Sequence, residues 1–325
     1  MHSLTRRTLL AASGAALATP ALAQPRYPSR PIQLIVPWGA GGGTDATARI
    51  VGSLLERDLG QPVNVVNRTG GSGVVGHQAI ASAAPDGHTI GMITVEIAMM
   101  HWQGLTELKP TSYTPLALMN EDPPGVSVNT SSPWPDIKAL ADAIKASRPG
   151  QLKASGTGQG GIWHLALVGW LQAMGLRGDH VRWVPSNGAA PAMQDLAAGG
   201  IDFTTCSIPE ARAIIDAGRA RALAIMAPQR NAVFGNVPTL NETLGINYSS
   251  GAWRGIAGPP NLPQNVRDTL VAALDRAYKN NEFQEFMRNR GFGTVWGGPQ
   301  EFAAFMDRAN TGMGEAMRAA GLARG

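Results

Sequence analysis

The sequence predicts an α/β fold in two lobes with a ligand cleft between them. Three observations support this prediction. Strand and helix patterns alternate through the first part of the chain, a glycine-rich loop follows a strand at two distant places, and residues 120–135 are rich in Pro, Ser, Asn and Asp. Alternation of strands and helices is typical of a sheet covered by helices on both faces, and the polar stretch indicates a crossing into a second lobe.

The first unit is a strand, a glycine loop and the start of a helix. Residues 32–36 are mostly apolar, residues 39–43 contain four glycines, and Ile50, Val51, Leu54 and Leu55 then recur at helical spacing. The free N–H groups at a helix N-terminus favour an anion, and glycine lets the backbone approach it closely. The unit therefore predicts an anion-binding loop.

A second unit of the same design starts at residue 152. The strand of residues 152–155 leads into a loop that contains Gly156, Gly158, Gly160 and Gly161, and an apolar helix is predicted over residues 162–174. The two loops are more than a hundred residues apart. We expect them to hold the two ends of one small acid.

The remaining elements follow in chain order. We expect strands at 62–66, 88–95, 181–184, 201–205, 221–226 and 250–257, and helices at 74–83, 136–146, 191–198, 264–280, 282–290 and 299–320. The strands should form a mostly parallel sheet in which ligands bind at the carboxyl ends.

Residues 1–23 are predicted to be a signal peptide. Arg6 and Arg7 precede an apolar run that ends in an A-x-A cleavage pattern before Gln24. The arginine pair fits twin-arginine export and ordinary secretion equally well. The remaining chain contains no apolar segment long enough for a membrane span, so we expect a soluble periplasmic protein.

Composition excludes a nucleic-acid surface. The net charge of the full chain is +4, and removing the two arginines of residues 1–23 leaves 4 − 2 = +2. The single cysteine, Cys206, forbids an intrachain disulfide. No histidine pair has metal-ligand spacing, and we expect no metal, no cofactor, no catalytic residue and a monomer.

Each notable motif also has a simpler interpretation. The Gly156-x-Gly158-x-x-Gly161 spacing matches dinucleotide-binding loops, but one such match is weak. Asp45 fits a helix cap better than a contact with an anion, because its carboxylate would repel the anion. Trp38 is predicted to form a wall of the cleft, and Glu96, at a strand end, is either solvated or paired with an amine on the ligand.

Several motifs resemble the substrate-binding proteins of tripartite tricarboxylate transporters, known as the Bug family. They are residues 27–32 (YPSRPI), 36–45 (VPWGAGGGTD), 67–68 (NR), 85–87 (PDG), 148–150 (RPG), 155–160 (SGTGQG), 195–202 (DLAAGGID), 221–224 (RALA), 238–242 (PTLNE) and 253–255 (WRG). They occur in the family's order along almost the whole chain.

The resemblance implies a type II periplasmic binding-protein fold that closes around a small carboxylated molecule and delivers it to membrane permease subunits. It also implies ligand-binding positions in four places. These are Trp38, Gly39, Ala40, Gly41, Gly42, Thr44 and Asp45 in the first loop; Ser155, Gly156, Thr157, Gly158 and Gln159 in the second; Asn187, Gly188 and Ala189 in a third; and the strand-end residues Glu96 and Cys206.

The chain departs from the family at five cleft residues. Trp38 replaces a common Phe, Ser186-Asn187 replaces Tyr-Lys, Cys206 replaces a frequent acid, and Glu96 replaces a small or hydroxyl residue. These departures leave the identity of the ligand open.

The predicted lobes are residues 24–126 plus 249–325 and residues 127–248. Two alternative functions stay open at this point: an exported enzyme that uses the Gly156 loop, and a ligand-sensing accessory of a membrane kinase.

Overall fold

The computed structural model of the chain describes residues 27–324. The predicted signal peptide and cleavage site lie outside the described residues. Within 27–324, no helix is long and apolar enough to cross a bilayer.

The described residues form two α/β lobes. The strands are β1 (Ile32–Val36), β2 (Val63–Asn67), β3 (Thr89–Thr94), β4 (Thr114–Asp122), β5 (Gly125–Asn129), β6 (Lys153–Ser155), β7 (Arg182–Val184), β8 (Phe203–Thr204), β9 (Ala220–Ile225), β10 (Ala252–Gly258) and β11 (Thr294–Gly297). The helices are α1 (Gly43–Leu59), α2 (Val74–Ala81), α3 (Ile137–Ala146), α4 (Ile162–Ala173), α5 (Ala189–Ala197), α6 (Ile208–Asp216), α7 (Leu240–Leu244), α8 (Gln264–Lys279), α9 (Asn281–Arg290) and α10 (Pro299–Ala319).

Each lobe is built on its own sheet. Lobe 1 contains a six-stranded sheet in the order β11-β4-β10-β3-β1-β2, and lobe 2 a five-stranded sheet in the order β7-β6-β8-β5-β9. The chain passes to lobe 2 between β4 and β5, over Pro123 and Pro124, and returns to lobe 1 between β9 and β10. Strand β5 of lobe 2 starts at Gly125.

The prediction of a mostly parallel sheet was wrong. β1 pairs in parallel with β2 and β3, and β6 with β7 and β8, but β10 is antiparallel to both β3 and β4, and β5 is antiparallel to both β8 and β9. Two of the antiparallel strands, β10 and β5, are those on which the chain enters a lobe, and β11 is antiparallel to β4 within lobe 1. The chain leaves lobe 1 along β4 and enters lobe 2 along β5, and it leaves lobe 2 along β9 and enters lobe 1 along β10. Each entering strand runs opposite to both of its neighbours in the sheet.

Helix packing fixes the orientation of α1 and α4 at the cleft. The buried face of α1 includes Ile50, Val51 and Leu55 and packs in a core with β1 and α8. Helix α4 is buried on nearly all sides, with Trp163 and Trp170 among the largest fully buried side chains. Both helices therefore hold their N-termini rigidly at the carboxyl ends of β1 and β6.

Candidate functional site

A small cavity lies between the lobes, where the N-termini of α1 and α4 meet. Its volume is about 20 Å³, about the space that one water molecule needs. It is lined by Trp38, Gly39, Gly42, Gly43, Thr44, Thr94, Glu96, Thr157, Ile162, Trp163, Ala189, Glu210, Ala252, Trp253 and Arg254. A molecule of several carbon atoms needs more room than this, which a small shift of the cavity walls would provide while the lobes stay in contact.

The first loop is held in shape by its own residues and by lobe 2. Gly41 has a φ of +84°, a conformation that favours glycine, and its N–H donates to the Asp45 carboxylate at 2.9 Å. That carboxylate also accepts bonds from Arg49 and Asn67. The prediction that Asp45 caps the helix was wrong, because the N-cap of α1 is Gly42 and Asp45 bonds to the loop and its neighbours instead. Burial raises the pKa of Asp45, but the hydrogen bonds from Arg49, Gly41 and Asn67 outweigh it and lower the pKa. Across the cleft, the N–H of Gly39 donates to the backbone oxygen of Asn187 at 2.8 Å.

The N-terminus of α1 receives a carboxylate from lobe 2. The N–H of Gly43 donates to Glu210 Oε1 at 3.2 Å, and the same oxygen accepts a bond from Arg254 at 2.9 Å. Arg254 also bonds to Thr44, Asn120 and Asp122 and is only 2% exposed. Arg254 therefore links the two lobes through a buried ionic cluster.

The N-terminus of α4 receives a carboxylate from lobe 1. The N–H of Ile162 donates to Glu96 Oε1 at 3.2 Å, and the Thr94 hydroxyl donates to Glu96 Oε2 at 2.5 Å. Glu96 is 3% exposed, and burial raises the pKa of its carboxyl. Each lobe thus supplies one carboxylate to a helix N-terminus of the other.

Thr94 connects Glu96 to the wall of the cleft. The indole N–H of Trp38 donates to Thr94 Oγ1 at 3.3 Å, and the Thr94 N–H donates to His77 Nε2 at 3.2 Å. His77 Nδ1 is 2.8 Å from the Gly73 oxygen, so the ring carries its proton on Nδ1. Complete burial lowers the pKa of His77 to about 4, which keeps the ring neutral at pH 7.

The cavity contains only some of the predicted ligand-binding residues. Those that line it are Trp38, Gly39, Gly42, Thr44, Glu96, Thr157 and Ala189. Ala40 and Gly41 face solvent, and Asn187 and Gly158 line a wider opening beside Trp38 together with residues 70–73. Gly188 lies next to the backbone of Gly39.

The remaining predicted residues of the second loop serve the local structure. Ser155 donates to the Val184 oxygen at 2.6 Å, and a Cβ on Gly156 would lie 2.7 Å from that of Trp163. The Gln159 oxygen accepts a bond from Ser72 across the lobes at 3.0 Å. Cys206 is fully buried, and burial raises the pKa of its thiol well above the ordinary value.

Sequence reasoning missed three residues of the cavity lining, two of which are charged. Arg254, Glu210 and Trp253 line the cavity, but none of them lies in a glycine loop. Arg254 had a usable signal, because an arginine inside an otherwise apolar strand must be paired with acids when it is buried. Glu210 had none, since its capping box with Ser207 explains it fully at the sequence level.

The surroundings of His164 do not favour a catalytic base. His164 accepts the Gly160 N–H at 3.0 Å, and burial lowers its pKa to about 4, which makes it a poor base at pH 7. Within residues 27–324, no three His, Cys, Asp or Glu side chains are grouped to hold a metal ion.

Two α/β lobes with a closed cleft between them define a solute-binding protein of the periplasmic type. The chain belongs to the tripartite tricarboxylate transporter receptor family, whose pattern matches residues 47–322. This confirms the resemblance found in the sequence.

Individual relatives agree with the family assignment. The protein BugT of Bordetella pertussis is 29% identical over 92% of this chain and 93% of its own. Among solved structures, Rpa4515 of R. palustris with adipate is 25% identical with a TM-score of 0.85 and covers 91% of this chain and 99% of that one. MatC of Rhodopseudomonas palustris with bound malate is 25% identical with a TM-score of 0.81, over 89% and 99%. The family consists of transporter receptors, and solved structures similar to this chain include a TctC solute-binding protein from Polaromonas and the periplasmic binding protein BugD, which are not enzymes.

Proposed function

We propose that this chain is a periplasmic solute-binding protein that captures a small carboxylated metabolite between its two glycine-rich loops and delivers it to a tripartite tricarboxylate-type permease. Lobe 1, residues 24–126 plus 249–325, and lobe 2, residues 127–248, would close over the solute. The solutes in the related structures, malate and adipate, support the carboxylate class. The family assignment supports the permease partnership and the periplasmic location.

One observation carries the proposal. The N-termini of α1 and α4 come from different lobes, line one cavity, and each already donates a backbone N–H to a carboxylate oxygen. A helix N-terminus binds carboxylates through its free N–H groups and its dipole. Glu210 and Glu96 therefore show the geometry in which these termini hold a carboxylate. At α1, Arg254 adds a charge-assisted bond.

Closure follows from the same arrangement. A solute can shift the equilibrium toward the closed state only by binding that state more tightly, which requires contacts with both lobes. Three hydrogen bonds between the lobes end on backbone oxygens: the Gly39 N–H donates to Asn187, the Ser72 hydroxyl to Gln159 and the Gln103 side-chain amide to Gly160. These hydrogen bonds support closure as a movement of the two lobes that needs no covalent reaction.

The proposal is tested by ligand screening of the purified protein after unfolding and refolding to remove co-purified solute. The panel contains mono-, di- and tricarboxylates, aromatic acids, amino acids and nucleotides, and the measurements are the unfolding temperature and tryptophan fluorescence. A solute at about a hundred times its Kd should stabilise the protein by about 2.7 kcal/mol. A response from carboxylated solutes supports the proposal, and a response from nucleotides alone contradicts it.

A further inference from the structure

We propose that the solute carries a cationic nitrogen in addition to its acid group, and that Glu96 binds this nitrogen. The inference rests on the proposed function and narrows its solute class. It predicts a zwitterionic solute where the related structures hold the dicarboxylates malate and adipate.

The first observation is that Glu96 is a buried carboxylate with no cation in contact among the described residues, although the more distant Arg254 charge still lowers the pKa of its carboxyl. Its contacts are the neutral Thr94 hydroxyl and the N–H of Ile162, and within residues 27–324 no Lys, Arg or His nitrogen lies within 4.0 Å of it. Buried carboxylates are ordinarily paired, because an isolated buried charge is very costly. Asp122 and Glu210 obey this rule through Arg254. At Glu96 a cationic group of the solute would complete the pair.

The second observation is the sign of the charge around the cavity. When ionised, Asp122, Glu210 and Glu96 bring three negative charges against the one positive charge of Arg254, which leaves 1 − 3 = −2, and burial raises the pKa of Glu96 and of Glu210. His77, behind Thr94, is neutral at pH 7 because its pKa is about 4. Placing a second carboxylate of a solute beside Glu96 adds repulsion in a medium of low dielectric constant. An ammonium at the same place reduces the imbalance.

The third observation is the aromatic lining. Trp38, Trp163 and Trp253 line the same cavity as Glu96, and each is at most 6% exposed. Tryptophan is the aromatic side chain that attracts cations most strongly, and the attraction grows when the cation is desolvated. A carboxylate among tryptophans is a setting that suits an ammonium group, whether primary or methylated.

The fourth observation is independent of charge and indicates a polar solute. Thr157 Oγ1 and Trp253 Nε1 are buried, and neither has a hydrogen-bond partner in the part of the chain that the structure describes. Both residues line the cavity and are no more than 5% exposed. Buried polar atoms are nearly always bonded, so these two indicate a polar solute beside them. The indole N–H donates only and suits the acid group of the solute.

The test compares matched pairs of probes by isothermal titration. Glutarate is paired with 4-aminobutyrate and adipate with 5-aminovalerate, so that one carboxylate is exchanged for an ammonium at equal chain length. The N-trimethyl derivative of 4-aminobutyrate distinguishes a methylated cation from a primary one. We expect the Kd of each amino acid to be at least about tenfold lower than that of its dicarboxylate, which corresponds to a difference in binding free energy of about 1.4 kcal/mol. Tighter binding of the dicarboxylates would overturn the inference and leave the proposed function standing. If no carboxylated probe bound and nucleotides did, the proposed function would fail as well.

A variant ties the preference to Glu96. Glu96→Gln keeps the size of the side chain and an acceptor oxygen but removes the charge, so the preference for the amino acid should fall about tenfold or more. The matched control is Glu107→Gln, an exposed glutamate of the same lobe that lies outside the cavity. Circular dichroism verifies that both variants fold. An unchanged preference in Glu96→Gln would contradict the inference.

Discussion

The two helix N-termini at the cleft each receive a carboxylate from the opposite lobe, yet their surroundings differ. At α1, Glu210 is bonded by Gly43, Arg254 and Ser207, so both of its oxygens have partners and its charge is neutralised. At α4, Glu96 has two neutral donors and no cation in contact among the described residues. Burial raises the pKa of both carboxyls, but the Arg254 charge opposes this rise most directly at Glu210.

This difference separates two roles. The Glu210–Arg254 pair is complete without a solute and fastens lobe 2 to lobe 1. The Glu96 end is incomplete, and it is lined by tryptophan. We therefore assign closure of the cleft to the first end and selection of the solute to the second. The predictions below test this division, beginning with the largest effect.

Removing Arg254 should have the largest effect on stability. Arg254→Ala leaves Asp122 and Glu210 buried without a cation, which typically costs about 3–5 kcal/mol. Urea unfolding measures the change. The control is Arg276→Ala, which breaks an exposed pair with Asp58 and should cost about 0–1 kcal/mol. Equal losses in the two variants would show that the buried cluster is not needed for the fold.

His77, which is linked to Glu96 through Thr94, should make the free energy of unfolding fall as the pH is lowered. The pKa of His77 in the folded protein, about 4, lies below the ordinary value of 6.5. Its contribution to the free energy of unfolding is therefore complete above pH 6.5 and is lost as the pH falls toward 4. A shift of this size corresponds to about 3 kcal/mol.

The change appears in the free energy of unfolding measured between pH 7 and pH 4. His77→Gln retains a donor for Gly73 and an acceptor for the Thr94 N–H, and it should flatten this part of the curve. The assignment is wrong if the variant and the parent lose stability in parallel.

Gly158→Ala should weaken solute binding by keeping the lobes apart. A Cβ on Gly158, in lobe 2, would lie 2.3 Å from Ser72 Oγ and 2.8 Å from Ser72 Cα, in lobe 1. The clash exists only in the closed state, so we expect affinity to fall about tenfold or more, the equivalent of about 1.4 kcal/mol.

Titration with the best probe measures this loss, and the unfolding temperature without solute should change little. Gly312→Ala is the matched control, because a Cβ there meets nothing within 4 Å. A control that lost affinity equally would remove closure as the explanation.

Glu96→Gln without solute should have the smallest effect, and its sign is informative. Because the folded pKa of Glu96 is raised above 4.5, the native state holds this proton more tightly, and stability is lost as the pH rises from 4.5 through the folded pKa. The variant lacks this loss, so relative to the parent it should gain stability at pH 7 and match it at pH 4.5. A variant that is relatively weaker at pH 7 would mean that Glu96 is already paired.

Much of the fold was predictable because local patterns determine it. Helix α4 was expected at 162–174 and spans Ile162–Ala173, and the strand expected at 88–95 is Thr89–Thr94. The strands β4, β5 and β11 and the helices α6 and α7 were not predicted. Proline-rich flanks conceal β4 and β5, and α7 is only five residues long.

The site was less predictable, because its charges meet only in three dimensions. The glycine loops mark the two helix N-termini, and Glu96 follows a recognisable strand. The bond from Gly43 to Glu210 joins residues 167 apart, and that from Arg254 to Asp122 joins residues 132 apart. No local spacing encodes such pairs, so the sequence could indicate an acid-binding cleft but not its negative lining.

The most direct test of the account is a crystal structure of the protein grown with 5-aminovalerate. The account predicts the ammonium nitrogen within 4 Å of the Glu96 carboxylate, beside Trp38 and Trp163, and the acid group at the indole N–H of Trp253. A carboxylate of the probe on the N–H of Ile162, with Glu96 turned away, would contradict it, as would a probe bound outside the cleft.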